Sequence, residues 1–471
     1  MKKYLLSFIL ILLSASVMAQ EFEVETIART GDDDKRINLV FLSDGYQEHE
    51  LNKFKTDVRL ILLELFLTTP FKEYKNYFNV HIIKVPSNVS GASRDPNNLI
   101  DNYFGSTYFF AGIERLLVPT LDNKVASVLA DNFPEYDQAF VLVNDDKYGG
   151  SGGWLATSST NVQAGQIMIH EIGHSMADLS DEYWAGPQFA GESPNMTQIT
   201  NPTTVKWKNW YGDNEIGIYP HSEDPRWHKP HQSCKMELLG LPFCAVCRET
   251  FVHTFYDMVP MIQSSRPGND DALNNSQNFS VIAQSPTPYS LRNFWMLDTD
   301  TISRNESLVI LDLADLSDGQ HDLKMNIADH TELSRKDNIP MDIVTWSINK
   351  SGSSISFTTE LNRQTVNRLD FLGKSPQIVT GTDDDFITEI RLKAFPNPVS
   401  DQLKVTFFNP RPAPFQMKLI GLNGQTFQVE DREILNQGEQ EFVIDTSGLR
   451  QGIFLVQLQI GDKLVIQKLL K

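Results

Sequence analysis

Two histidines four residues apart in an otherwise apolar run, Ile167-Met168-Ile169-His170-Glu171-Ile172-Gly173-His174, constrain this chain more than any other feature. At 3.6 residues per turn the two imidazoles lie about 40° apart around a helix, on one face. The apolar flanks predict a buried helix rather than an exposed one with surface histidines. Buried imidazoles need partners, and a metal ion clamped between them supplies one. Glu171 stands beside that position, where a carboxylate can take a proton from an attacking water and hand it to a leaving group. Zinc accepts neutral imidazole nitrogen and needs a third protein ligand. The residues that follow offer Asp178, Asp181 and Glu182. A continuous helix carries Asp178 away from an ion held by the histidines, whereas Asp181 and Glu182 can return once the helix ends. The preferred metal set is His170, His174 and Asp181, with Glu182 second and Asp178 third.

The start of the chain, MKKYLLSFILILLSASVMAQ, is basic, then apolar to about Leu13, then built of small residues up to Ala19. This reads as a secretory signal cut after Ala19, because the apolar run is shorter than the roughly 18 residues that a spanning helix needs. No later segment reaches that length, so no transmembrane segment is expected in the mature chain. The formal charge is -19. Loss of Lys2 and Lys3 moves it from -19 to -21, with acidic residues spread along the chain. Such a balance excludes nucleic acid as a partner. Three cysteines, Cys234, Cys244 and Cys247, fall within fourteen residues. With no second CxxC pair for a structural zinc and no thioredoxin-like context, the spacing predicts one local disulfide and one buried thiol.

Residues 36–42 read as a buried strand and 47–67 as a helix with Phe54, Val58, Ile61, Leu62 and Leu65 on one face. Strands are expected at 77–85 and 138–143, with helices near 113–117 and 124–131 between them. That alternation predicts an α/β or α+β domain with a central sheet. The glycine cluster Gly149-Gly150-Ser151-Gly152-Gly153 lacks phosphate-loop spacing and reads either as close backbone approach to a ligand or as a plain turn. Past Pro260 short β-rich runs at 307–313, 321–327, 343–348 and 354–359 suggest a β-sandwich. The acidic stretch Gly381-Thr382-Asp383-Asp384-Asp385 marks a boundary. A second small β-domain follows, ending in a hairpin around Gly461-Asp462.

The run from His170 to Tyr183, HEIGHSMADLSDEY, resembles the signature of the M64 metallopeptidases, the family named for a bacterial immunoglobulin A peptidase. NLVFLSDGY at 38–46, Pro70-Phe71, Phe78-Asn79-Val80, Tyr148 to Gly153, and Ser233 to Met236 followed by Phe243 to Cys247 agree with it. The resemblance covers about 36–250 and implies an α+β zincin (metzincin-like) catalytic domain whose edge strand binds an extended peptide. The metzincin pattern H-E-x-x-H-x-x-G-x-x-H is not kept, since Ser180 stands at the third-ligand position. Asp181, one residue on, is the natural substitute, and Met236 is the candidate methionine beneath the metal, or else ordinary core packing. Tyr183, Tyr219, His228 and His231 are candidate stabilisers of the oxyanion.

The last segment is similar to the C-terminal sorting domain of the type IX secretion system of Bacteroidetes. Phe395-Pro396-Asn397-Pro398, Leu422-Asn423-Gly424, 444–449, Gly452-Ile453-Phe454 and the basic end 468–471 carry that likeness in order. The expected division is a signal peptide (1–19), a catalytic domain (20–262), an all-β sandwich domain (263–385) and a sorting β-domain (386–471). The expected activity is that of a secreted zinc metalloendopeptidase using one Zn2+ ion, with Glu171 as general base acting on metal-activated water. Its partners are protein or peptide substrates and the type IX secretion machinery, and its place is outside the cell or on the outer-membrane surface. The alternative is a catalytically silent surface-binding or adhesion protein with a zincin-like domain.

Overall fold

The computed structural model describes residues 21–374 and 392–471, apart from 96, 274, 397–398, 410–411, 422–425, 450–452 and 461–462. The signal segment, the 381–385 boundary, Asn397-Pro398 and the turns at 422–424 and 461–462 lie outside the described residues. The chain divides into two compact units, Met1–Ser375 and Pro376–Lys471. Both are rich in β-structure, and the helices are few.

In the first unit, strands β1 (Glu23–Ala28), β2 (Ile37–Asp44), β3 (Phe78–Lys84), β4 (Gln138–Val143), β5 (Gly150–Ser151) and β6 (Ala156–Ser159) form a mixed sheet of order β1-β3-β2-β4-β6-β5. Strands β3, β2, β4 and β6 run parallel, while β1 and β5 are antiparallel edges. Every residue of β2 and β4 is buried, as expected of parallel strands covered on both faces. Helix α1 (Leu51–Leu65) buries Leu51, Phe54, Val58, Ile61, Leu62 and Leu65, each contributing roughly 1.5–3 kcal/mol by leaving water. It starts later than the pattern suggests, because Glu48–Glu50 form a 3-10 turn closed by a capping box between Gln47 and Glu50. Helix α2 (Asp122–Asn132) covers the other face with Val125, Val128 and Leu129.

The helix expected near 113–117 is absent. Phe109 and Ala111 adopt left-handed φ values of 58° and 52°, and Val118–Pro119 pair with Ser106–Thr107. Two left-handed residues break helical winding, and apolar spacing alone did not reveal them.

Helices α3 (Ala164–Ala177) and α4 (Ala245–Met258) complete the layer beside the sheet. After α4 the chain forms a three-stranded sheet, β7 (Ile262–Arg266), β8 (Ser276–Ala283) and β11 (Leu308–Asp312), in order β7-β8-β11. A five-stranded sheet has order β10-β9-β12-β13-β14, from β9 (Leu291–Leu297), β10 (Asp300–Arg304), β12 (Gly319–Asp329), β13 (Asn338–Ser351) and β14 (Ser354–Asn367). One hydrophobic cluster runs from Phe41 and Phe54 through Phe251 and Phe255 to Trp295 and Trp346. The β-rich region after Pro260 therefore shares its packing with the helices before it.

The second unit holds a three-stranded and a four-stranded antiparallel sheet. Its core alternates along strands, with Leu403, Val405 and Phe407 on Gln402–Asn409 and Phe454, Val456, Leu458 and Ile460 on Ile453–Ile460.

Candidate metal centre

Helix α3 carries the two histidines. Ile167, Met168, Ile169, Ile172 and Met176 bury one side of it, which fixes its rotation. It ends with Asp178 at φ 50°, whose N–H donates to the His174 carbonyl (3.2 Å) while Leu179 N–H donates to the Gly173 carbonyl (3.0 Å). The first of these bonds is that of an αL cap, with Asp178 in its left-handed position. The reversal turns the chain back toward the histidines within three residues. Asp178 itself is exposed.

Asp181 arrives beside the imidazoles. Its Oδ1 lies 3.0 Å from His170 Nε2 and 3.3 Å from His174 Nε2, and the two Nε2 atoms are 3.3 Å apart. Each ring's Nδ1 faces a backbone carbonyl, Lys235 at 3.0 Å for His170 and Leu179 at 2.6 Å for His174. Carbonyls only accept, so each Nδ1 carries the ring proton and each Nε2 presents a lone pair toward the carboxylate oxygen. Three lone pairs converging at such distances repel unless a positive charge sits among them. Tetrahedral zinc, with bonds of about 2.0–2.2 Å, spaces its ligands by about 3.3–3.6 Å. The donor set and its spacing fit that ion.

The electrostatics agree. With protons on both Nε2 atoms in place of a metal, burial works against a charged Asp181, but the hydrogen bonds it then accepts from both histidines win and hold its carboxyl well below the usual range. Burial likewise opposes protonation of His174, yet the hydrogen bond and charge of Asp181 outweigh it, and the imidazole is pushed up to about 9. The site thus demands a cation, whether a proton or a metal.

Glu171 is half-buried, and that burial raises its carboxyl above the ordinary value, against the pull of the two histidines. The glycine loop lies directly on it. A Cβ built on Gly152 would stand 2.7 Å from Glu171 Oε2 and 3.1 Å from His174 Cβ, and one on Gly150 would stand 2.5 Å from Ile167. Both readings of the loop are refined by this: the glycines let backbone approach α3 itself. At Gly150 the outer side of β5 is already bonded, its N–H donating to the Arg115 carbonyl and its carbonyl accepting from Leu117.

The remaining sequence candidates separate. Met236 is fully buried, and its Sδ would be 2.7 Å from a Cβ at Gly173, so it packs under the middle of α3. The Tyr183 ring stacks beside His170 at 6.5 Å, under the Arg115 guanidinium at 5.9 Å. Tyr219 instead donates to the Glu215 carbonyl, and His231 sits between Ser233 N and the Glu215 carboxylate. His228 pairs in a two-residue strand with Pro220. Glu182, the second candidate ligand, points away from the histidines and joins Cys234, Cys244 and Cys247. The expected disulfide is not formed. All three thiols are free, with sulfurs 3.5 Å apart for Cys244 and Cys247 and 3.7 Å for Cys234 and Cys247, against about 2.05 Å for a bonded pair. Arg115 and Gly152 were not singled out by sequence, although the glycine cluster signalled a close approach.

Residues 25–225 match the IgA peptidase M64 family, and residues 393–471 match the secretion system C-terminal sorting domain. The first match supports a peptidase. The second indicates type IX secretion to the outside of the cell or its surface. No curated protein matches this chain. Among solved structures, the MHC-like MILL2 is 12% identical, over 28% of this chain and 68% of that one, with a TM-score of 0.13. Bacteroides uniformis β-glucuronidase 3 is 8% identical, over 52% and 28%, with a TM-score of 0.13. The SGBP-B protein of the Bacteroides ovatus mixed-linkage glucan utilization locus is 12% identical, over 44% and 46%, with a TM-score of 0.11. The chain spans less than half the length of the last two, and at these TM-scores no fold argument rests on any of the three. No helix among the described residues is long and apolar enough to cross a membrane.

Proposed function

We propose that the segment matching the M64 peptidases, completed by Met236 and α4, is a zinc metalloendopeptidase of zincin type. His170, His174 and Asp181 hold the metal, and Glu171 is the general base. The observation that carries this reading is the convergence of two Nε2 lone pairs and one carboxylate oxygen within 3.0–3.3 Å, each ring locked from behind by a carbonyl.

When bound, zinc supplies Lewis acidity, polarising a scissile carbonyl and lowering the pKa of water. The chain's own residues do the rest. Glu171 has a carboxyl raised by burial, which suits a group that must accept a proton near neutral pH and release it again. It takes one proton from water as the oxygen attacks the carbonyl carbon, then delivers it to the amine nitrogen as the C–N bond breaks. Tyr183 is the candidate oxyanion donor whose ring lies at the cluster, with Arg115 above it. An extended peptide laid beside the Gly152 backbone, just past the end of β5, would bring a carbonyl to Glu171.

The test is hydrolysis of a protein substrate by purified protein. Activity should fall at least about 10³-fold in Glu171→Ala, vanish with a chelator and return with zinc. Mass spectrometry of digests should find cuts inside long peptides. Full activity in Glu171→Ala would sink the assignment of the base, and terminal trimming alone would sink the endopeptidase reading.

A further inference from the structure

We propose a second, structural zinc site, formed by Cys234, Cys244, Cys247 and Glu182 behind the histidine cluster. It is separate from the peptidase reading and stands whether or not the chain hydrolyses peptides.

The four side chains come from three places. Glu182 follows the helix reversal, Cys234 precedes Met236, and Cys244 and Cys247 sit at the N-cap and first turn of α4. All four are buried, Glu182, Cys234 and Cys247 completely, and their ligand atoms lie within 4.8 Å of one another. The sulfurs of Cys247 and Cys234 are 3.7 Å apart, those of Cys244 and Cys247 3.5 Å, and Cys247 Sγ is 3.4 Å from Glu182 Oε1. Tetrahedral zinc with Zn–S bonds of about 2.3 Å places sulfurs about 3.8 Å apart and a carboxylate oxygen slightly nearer.

A second observation points the same way. Glu182 Oε1 accepts from Asn195 Nδ2 at 3.0 Å, but Oε2 has no hydrogen-bond partner and no contact with solvent. An orphaned carboxylate oxygen among three thiols is costly, whereas as a ligand it is satisfied. Three thiolates and a carboxylate carry the charge of a four-cysteine zinc site, with a closed ligand set that leaves no position for substrate. The N–H of Cys244 donates toward Cys234 Sγ at 3.4 Å.

The placement gives the ion a task. Asp181 is covalently next to Glu182, and Lys235, whose carbonyl orients His170, is next to Cys234. Glu182 N–H also donates to the Met236 carbonyl at 2.7 Å. Zinc at the cysteines therefore staples the segment bearing Asp181 to the loop supporting His170 and to the start of α4.

Metal analysis of the full-length protein decides this. Wild type should contain two zinc ions per chain, and His170→Ala should retain one. Cobalt loaded into His170→Ala should show thiolate-to-metal charge-transfer absorption in the near ultraviolet, and Cys247→Ser should lose both that band and one ion. One ion in wild type that His170→Ala abolishes would overturn the proposal, as would an intact mass two hydrogens lighter with two of these cysteines linked in a peptide map. The opposite failure is distinct: one ion in wild type, unchanged in His170→Ala and carrying the cobalt band, would keep this site and remove the histidine-bound one.

Discussion

Asp181 and Glu182 are chemically alike and adjacent, yet after the helix reversal they go to opposite sides, one to two imidazoles and one to three thiols. Asn195 holds that stretch from both ends, accepting from Ser180 N–H (2.8 Å) and donating to the Ser180 carbonyl (2.8 Å) and to Glu182. Gly152 acts on the other flank. Its missing side chain leaves room for Glu171 and His174, and its φ is not in the left-handed region, so alanine is tolerated by the backbone but not by the neighbours. Gly152→Ala is expected to lower kcat by about 10²-fold, as for a base displaced by a fraction of an ångström to 1 Å, with zinc content and thermal stability unchanged. Wild-type kcat in that variant would mean that Glu171 has space to spare. The histidines and Glu171 were legible because helical spacing is local. Asp181 was legible only as one of three carboxylates, since the choice depends on where a left-handed residue turns the chain. Gly152 and Arg115 approach through the fold, and no local pattern encodes that.

At the scale of elements, α3 is positioned by its end as much as by its apolar face. Asp178 occupies the left-handed corner that glycine adopts at no steric cost. Asp178→Gly should therefore keep the fold within about 1 kcal/mol of wild type by urea denaturation and leave zinc content untouched. Loss of zinc in that variant would return Asp178 to the list of ligands. Beneath the same helix, Gly173 faces Met236. Gly173→Val would drive a branched side chain into a fully buried thioether and should destabilise by about 1–3 kcal/mol through overpacking. A pattern of apolar residues announces that a helix is buried, but not that one position must stay bare. The same limit explains 113–117, where Ile113, Leu116 and Leu117 mimic a helical face although two left-handed residues just before them stop the winding.

At the scale of the whole first unit, the change of pattern after Pro260 was legible, whereas the manner of attachment was not, because the joint is built from groups far apart in sequence. Tyr74 and Tyr256 both donate to Asp329 Oδ2 (2.5 and 2.6 Å), Tyr77 donates to the Gln284 carbonyl (2.6 Å), and Met261 N–H donates to Asp342 (2.6 Å). His253 of α4 joins this seam through Ser334 Oγ at 2.8 Å. Burial, reinforced by the charges of Lys336 and Arg368, pulls its imidazole down to about 3. The sign follows from linkage. The folded state keeps His253 neutral while the unfolded chain binds a proton at about 6.5. The stabilisation is complete above pH 6.5 and is lost progressively as pH falls toward 3, with a slope of at most about 1.4 kcal/mol per pH unit. His330, pulled down to about 4 by burial and by Arg368 and Arg292, adds in the same direction. Urea midpoints measured at pH 7.5 and 5.0 should fall less in His253→Gln than in wild type, since glutamine can still bond Ser334 but has no proton to take up. Metal held at the proposed sites would be released from both proteins alike on acidification and would cancel in the difference. Parallel losses in the two would show that the seam between α4 and the β-rich region does not sense pH through His253.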